Sequence, residues 1–232
     1  EIKAFVPEVN FKVTTELETN NNELFQAELS DRLNSQDEVL ALFESLKNAE
    51  LKVANVEKKP GVRNPSAPFT TSTLQQEASN WLSYGVKQTM LLAQKLYENG
   101  HITYMRTDST VLSKQALSNI ASYIETKYGS KYVETRQYAT KNQSAQEAHE
   151  AIRPTNIAQS QAGDDDQQRK LYELIWRRTV ASQMSAAKIE KTNVDIEITG
   201  RTDKLIGKGE VLVFDGFLSV YGRGKEDKIL PK

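Results

Sequence analysis

Residues 73–105, TLQQEASNWLSYGVKQTMLLAQKLYENGHITYM, decide the fold. Thr73-Leu74-Gln75-Gln76 has the spacing of a capping box, in which a hydroxyl and an amide satisfy free N–H groups at a helix start. The helix behind it is short and ends near Leu82. Tyr84-Gly85 supplies a turn, and a second helix runs from about Val86 to Glu98. Asn99-Gly100 closes it with residue types that tolerate left-handed backbone. A strand over Ile102–Met105 is expected next. Helix, tight turn, helix and strand is the order of a helix-turn-helix with a wing.

Outward from this stretch the pattern changes. Upstream, Lys58 to Pro68 holds Pro60, Gly61, Pro65 and Pro68 and reads as a linker. Before it, Phe11, Val13, Thr15 and Leu17 alternate, Asn20-Asn21-Asn22 turns, and Phe25, Ala27 and Leu29 alternate again, as in a β-hairpin. Ser35-Gln36-Asp37-Glu38 is a second capping box, opening a helix with Val39, Leu42, Phe43 and Leu46 on one face. A strand near Leu51–Val56 closes that segment. Downstream, a helix from about Ser113 to Tyr128 ends at Gly129. Residues 131–165 read as loop, and a helix spans about Gln167 to Ala186 with Leu171, Leu174 and Ile175 inward. Strands return at Val194–Ile198 and Glu210–Tyr221. The expected architecture is therefore a multi-domain α and β chain, a helical insert with helix-turn-helix (CAP-like) character between β-rich flanks, divided as 1–62, 63–189 and 190–232.

The 232 residues include no cysteine, which excludes disulfides, cysteine-ligated zinc and thiol catalysis. The absence of cysteine also fits a reducing cytoplasm. No apolar run approaches a membrane span and no signal peptide opens the chain. It begins at Glu1 rather than Met and is expected to be cut from a longer protein. Net charge is −1, but residues 62–190 carry 15 Lys+Arg against 12 Asp+Glu, while the flanks carry 15 against 19. The middle is mildly basic, which permits a local phosphate site without marking a strong nucleic-acid binder.

Chemistry concentrates at ITYMRTDST, residues 102–110, where a phenol, a guanidinium, a carboxylate and four aliphatic hydroxyls fall within nine positions. On a strand Tyr104, Arg106 and Asp108 share a face. A tyrosine is a competent nucleophile when its anion is stabilised. Its ordinary pKa leaves only ~0.1% phenolate at neutral pH, a deficit of roughly 4 kcal/mol that a nearby cation can offset. Arg106 can also fork onto phosphate oxygens. The ordinary alternative is a packing tyrosine, one of nine.

A second cluster, Gln146-Glu147-Ala148-His149-Glu150-Ala151-Ile152-Arg153-Pro154, has the look of a helical zinc site but carries Arg153 where the second histidine belongs, so that reading fails. His149 beside Arg153 can instead grip a phosphate. Asp164-Asp165-Asp166 invites a magnesium reading, but its place ahead of a helix makes capping the better account. His101 reads as a turn residue. No glycine-rich phosphate loop is present, so nothing suggests ATP.

ITYMRTDST resembles the active-site signature of the type IA DNA topoisomerases. The resemblance extends upstream through Pro68–Gln76 and Lys95–Gly100, and downstream through Ser144–Pro154 and Leu171–Trp176. Glu1–Pro7 resembles the bacterial branch of that family. The resemblance implies that Tyr104 attacks a phosphodiester in a single-stranded segment of negatively supercoiled DNA. A 5′-phosphotyrosine forms, strands pass, and the break is resealed without ATP. Arg106 and His149 would bind the scissile phosphate, Asp108 would support them, and Arg153 is a further DNA contact.

It also implies that Mg²⁺ is held by a Toprim domain outside this chain and none within it. The chain then corresponds to the tyrosine-bearing helical domain inserted in a truncated β-rich arch, expected to be monomeric, cytoplasmic and inactive alone. The competing reading is a non-catalytic helix-turn-helix module that binds duplex DNA by sequence.

Overall fold

The computed structural model describes residues 9–138, 150–222 and 230. The resemblance at Glu1–Pro7 and the chain's last residues lie outside them. Alternation builds the first hairpin. β1 (Thr14–Glu18) pairs antiparallel with β2 (Leu24–Leu29), in a register that sets Leu17 against Phe25 and Thr15 against Ala27. Thr19 shapes the turn: its hydroxyl accepts the N–H groups of Asn21 and Glu23, and Asn22 takes φ 62°. Asx-type residues tolerate that left-handed backbone.

The helix expected after Ser35 is α1 (Gln36–Leu46). Ser35 Oγ accepts the Glu38 N–H at 3.2 Å, but the Glu38 carboxylate reaches back to the N–H of Asn34, at 2.7 Å, rather than that of Ser35. Leu42 is fully buried, while Phe43, expected beside it, is half exposed.

β3 (Leu51–Arg63), β4 (Ala187–Ile198) and β5 (Lys204–Phe214) complete a five-stranded sheet of order β1-β2-β5-β4-β3. Two expectations need correction here. The linker expected from Lys58 is strand as far as Arg63, despite Pro60 and Gly61. An edge strand accepts a proline because one side of it needs no N–H donor, and β3 lies at the edge. Gly61 is required by packing, since a Cβ there would stand 2.9 Å from Ile189 Cγ1. The second correction is that residues 218–221 are not strand but a short helix, α6 (Leu218–Tyr221). Ala27, Leu29, Leu33, Leu42, Ile196, Ile198 and Leu205 form the core of this part of the chain.

The chain divides into two compact units, one of residues 1–61, 188–213 and 226–232, the other of 62–187 and 214–225. The second unit holds α2 (Thr71–Leu82), α3 (Val86–Glu98), α4 (Lys114–Tyr128), α5 (Asp166–Ser182) and α6. α5 is its axis. From Leu171 onward it is buried on nearly every side, as a helix enclosed by others must be. Two of its buried hydroxyls are satisfied locally: Thr179 Oγ1 donates to the Ile175 carbonyl and Ser182 Oγ to that of Thr179. Arg178 is buried between the rings of Phe69 and Tyr221, 4.5 and 4.6 Å from their centroids, and pairs with Glu77 at 3.3 Å.

α2 and α3 follow one another across the left-handed Ser83, but the strand expected over Ile102–Met105, the wing of the expected pattern, is not formed. The cap of α2 is Thr70 rather than Thr73. Thr70 Oγ1 accepts the Thr73 N–H and Thr73 Oγ1 accepts the Thr70 N–H, a complete capping box one turn earlier. Among the described residues no helix is long and apolar enough to cross a membrane.

Candidate active site

The end of α3 aims the chain into the site. Gly100 takes φ +75°, its N–H bonds the Tyr97 carbonyl and the His101 N–H bonds that of Leu96, the pairing of a Schellman cap. Asn99 stays right-handed, so Gly100 alone makes the turn that both were expected to share. His101 lies edge-on to Tyr172, 6.2 Å between centroids, and Ile102 is buried against Pro154 in an isolated β-bridge.

Residues 103–111 are then pinned by side chains rather than by a sheet. On the approach to Tyr104, Thr103 N–H donates to the Arg153 carbonyl at 2.9 Å. Thr103 Oγ1 donates to the Ala151 carbonyl at 2.6 Å and accepts the Arg153 N–H at 2.9 Å. Beyond Tyr104, Thr71 at the start of α2 holds the chain on both sides of Arg106. Its hydroxyl donates to the Met105 carbonyl at 2.9 Å and accepts the Thr107 N–H at 2.9 Å, while its own N–H donates to the Thr107 carbonyl. Thr107 Oγ1 accepts the Ser109 N–H, Ser109 Oγ accepts the Val111 N–H, and Val111 accepts from Ala151.

The two-residue alternation survives without the strand. Met105, Thr107 and Ser109 are buried, whereas Tyr104, Arg106 and Asp108 are exposed. Tyr104 is 42% exposed and meets Tyr97 edge-on at 5.3 Å. Arg106 and Asp108 have no hydrogen-bond or ion-pair partner among the described residues. A rigid backbone thus presents a phenol and an uncommitted guanidinium two residues apart. Such an arrangement can take up a phosphate and offer it a nucleophile.

His149 lies outside the described residues. Arg153 is placed differently from what a free phosphate contact needs. It donates to Glu150 Oε2 at 2.6 Å and to the Pro154 carbonyl at 3.0 Å, its side chain is 17% exposed, and its Nε is buried without a partner. Glu150 Oε1 accepts the Ser113 N–H at 2.6 Å. Burial pushes the Glu150 carboxyl up, but the bonds from Arg153 and Ser113 outweigh it and hold the pKa below the usual carboxylate value.

The aspartate run is capping and ion pairing. Asp165 caps α5 through the Gln168 N–H, Asp166 pairs with Lys170 and Arg169, and Asp164 accepts from Asn99. The bond from the Gln168 N–H, first among several, holds Asp165 below the usual range, and the Lys170 contact does the same for Asp166. Thr71, Thr103 and Glu150 were not singled out from the sequence. The surplus of hydroxyls in residues 102–110 was a signal for Thr103 alone, and it concerns scaffolding rather than chemistry. Thr110 Oγ1 is buried without a partner.

The family model described as DNA topoisomerase matches residues 1–232. A DNA topoisomerase 1 of Vibrio cholerae is 44% identical over 244 residues, covering 100% of this chain and 28% of that protein. That of Escherichia coli is 42% identical over 245 residues, covering 99% and 28%. The solved structure of full-length topoisomerase I from Thermotoga maritima superposes with a TM-score of 0.78 at 32% identity, over 100% of this chain and 39% of that one. The chain thus spans little more than a quarter of the length of these curated relatives, and it belongs to the family of bacterial type IA DNA topoisomerases.

Proposed function

We propose that this chain is the tyrosine-bearing part of an enzyme that relaxes negatively supercoiled DNA by cutting and resealing one strand without ATP. The helical unit would carry the nucleophile and the sheet unit would be part of the arch. The observation that carries this reading is the pinned segment 103–111, which exposes Tyr104 next but one to the unpaired Arg106.

In the proposed step Tyr104 Oη attacks the phosphorus of a phosphodiester in a single-stranded segment. The bond from phosphorus to the 3′ oxygen breaks, a 5′-phosphotyrosine forms, and the phenolic proton passes to the departing 3′ hydroxyl. The reverse attack restores the strand. One phosphoester replaces another, so the bond energy is kept and no ATP is needed. Arg106 would offset negative charge on the phosphoryl oxygens as the attack proceeds. His149 and Asp108 remain proposed supports of the same phosphate, and Arg153 is proposed to act there only if its pair with Glu150 opens.

Magnesium does not fit the residues described here. No group of three or more His, Asp or Glu among them is placed to hold a metal, and the aspartates at 164–166 are already engaged. In the parent protein a Toprim domain is the proposed holder. This chain alone is then expected not to relax DNA, and robust relaxation by it would contradict the assignment. The parent is proposed to act as a cytoplasmic monomer.

The test uses the parent protein and a single-stranded oligonucleotide labelled at internal phosphates. Denaturation after mixing should leave label attached to the protein, released as phosphotyrosine from the peptide containing Tyr104. Label on any other residue, or none under conditions where the parent relaxes plasmid, would remove Tyr104 from the chemistry.

A further inference from the structure

We infer that Glu150 and Arg153 are positioning residues for Tyr104, fixing the angle at which the phenol is presented. The inference rests on Tyr104 being the nucleophile and assigns this pair a role that the reaction itself does not require.

The residue before Tyr104 has no ladder of its own. Thr103 takes its orientation from hydrogen bonds that all go to the backbone of residues 151 and 153. Residues 150–154 are equally without a regular element. Two isolated bridges, Phe69 with Ile152 and Ile102 with Pro154, the Ala151 N–H bond to the Val111 carbonyl and the burial of Ala151 and Ile152 hold the middle of the segment, which leaves its ends to side chains.

The Glu150–Arg153 pair does so from both ends. One carboxylate oxygen takes the Ser113 N–H, the N-cap residue of α4, at 2.6 Å, and the other takes Arg153 at 2.6 Å. Arg153 closes the link by donating to the Pro154 carbonyl. An unbroken series of bonds thus runs from the N-cap of a 15-residue helix, through an ion pair, to the residue preceding the nucleophile.

What sets the pair apart is what its contacts join. One carboxylate oxygen is held by the N-cap of α4 and the other by Arg153, whose own backbone holds Thr103 on the approach to Tyr104, so the pair bears directly on the residue before the nucleophile.

The experiment measures single-turnover adduct formation by the parent protein on a single-stranded oligonucleotide across DNA concentrations. Glu150→Gln and Arg153→Gln should each lower the rate at saturating DNA about 10- to 100-fold, as small misplacements of a reacting group do. The half-saturating DNA concentration should stay within about two-fold, since what is lost is the attack geometry and not uniform binding. The double variant should be no slower than either single one, and Arg153→Lys, still able to reach Glu150, should recover most of the rate.

An unchanged saturating rate in the folded Gln variants would overturn the inference. So would a shift confined to the half-saturating concentration, which would make the pair a DNA contact. If the Gln variants do not fold, Glu150→Asp decides. It keeps the charge but is one methylene too short for both contacts, and a rate equal to that of the unaltered protein would overturn the inference. Tyr104→Phe runs alongside. Adduct formation by it would sink the nucleophile assignment, whereas a silent Tyr104→Phe with a normal Glu150→Gln sinks the positioning role alone.

Discussion

Thr71 shows what a single hydroxyl can carry. It both donates and accepts across the segment that presents Arg106, and its neighbour Thr107 is buried. Thr71→Val keeps the shape but strands the Thr107 N–H, which should lower the stability of this chain by about 1–3 kcal/mol. For a chain of this size that is a fall of roughly 2–4 °C in Tm per kcal/mol, read by thermal unfolding. An unchanged Tm would mean that the clamp is not formed in solution. Glu77 is a second residue-scale case. Removing it leaves Arg178 buried between Phe69 and Tyr221 with no counter-charge. Glu77→Ala should therefore destabilise by about 3 kcal/mol or more, and a loss under about 1 kcal/mol would show that the two rings suffice. Residues 102–110 could be read as a chemical centre because reactive side-chain types crowd there. Their scaffolding could not, since Thr71, Ala151 and Glu150 meet them only through the fold. The alternation of exposure at Tyr104, Arg106 and Asp108 was legible from period alone, although the strand used to argue it does not form.

At the scale of elements, the helices were legible wherever a cap and an apolar stripe agreed. α4 begins after Ser113 and ends at Gly129 as the spacing predicts. α5 starts where expected but stops at Ser182, four residues short of the predicted end, because the chain there turns into β4. Reading failed where a local signal met a tertiary exception. Pro60 and Gly61 look like a break and are accommodated at a sheet edge, and Leu218–Tyr221 looks like strand but closes as a helical turn. Gly100 is the element-scale test. Nothing crowds a Cβ there, so Gly100→Ala isolates the cost of left-handed backbone at the end of α3, about 1–2 kcal/mol. Because the next residues lead to Tyr104, the variant should lose thermal stability and adduct rate together. Loss of neither would mean that the Schellman cap does not govern the loop.

At the scale of the molecule, burial of two phenols sets an alkaline limit. Burial pushes both Tyr172 and Tyr221 up to about 12. A folded pKa above the usual 10 means that their contribution is fully present below pH 10 and is lost as pH rises towards 12. Part of the tyrosinate absorbance should therefore appear only together with loss of the helical circular dichroism signal. Titration of all nine tyrosines near pH 10 with the fold intact would contradict this. Composition said little about function at this scale, since a net charge of −1 conceals a mildly basic middle. The order and spacing of several short motifs said far more, because they report a whole site rather than one residue. The central claim is that Tyr104 is the nucleophile of a strand-passing reaction. Relaxation of negatively supercoiled plasmid by the parent protein, with Mg²⁺ and without ATP, tests it beside the Tyr104→Phe variant. The account predicts complete relaxation by the parent and none by the variant at equal stability. Equal relaxation by both would remove Tyr104 from the mechanism.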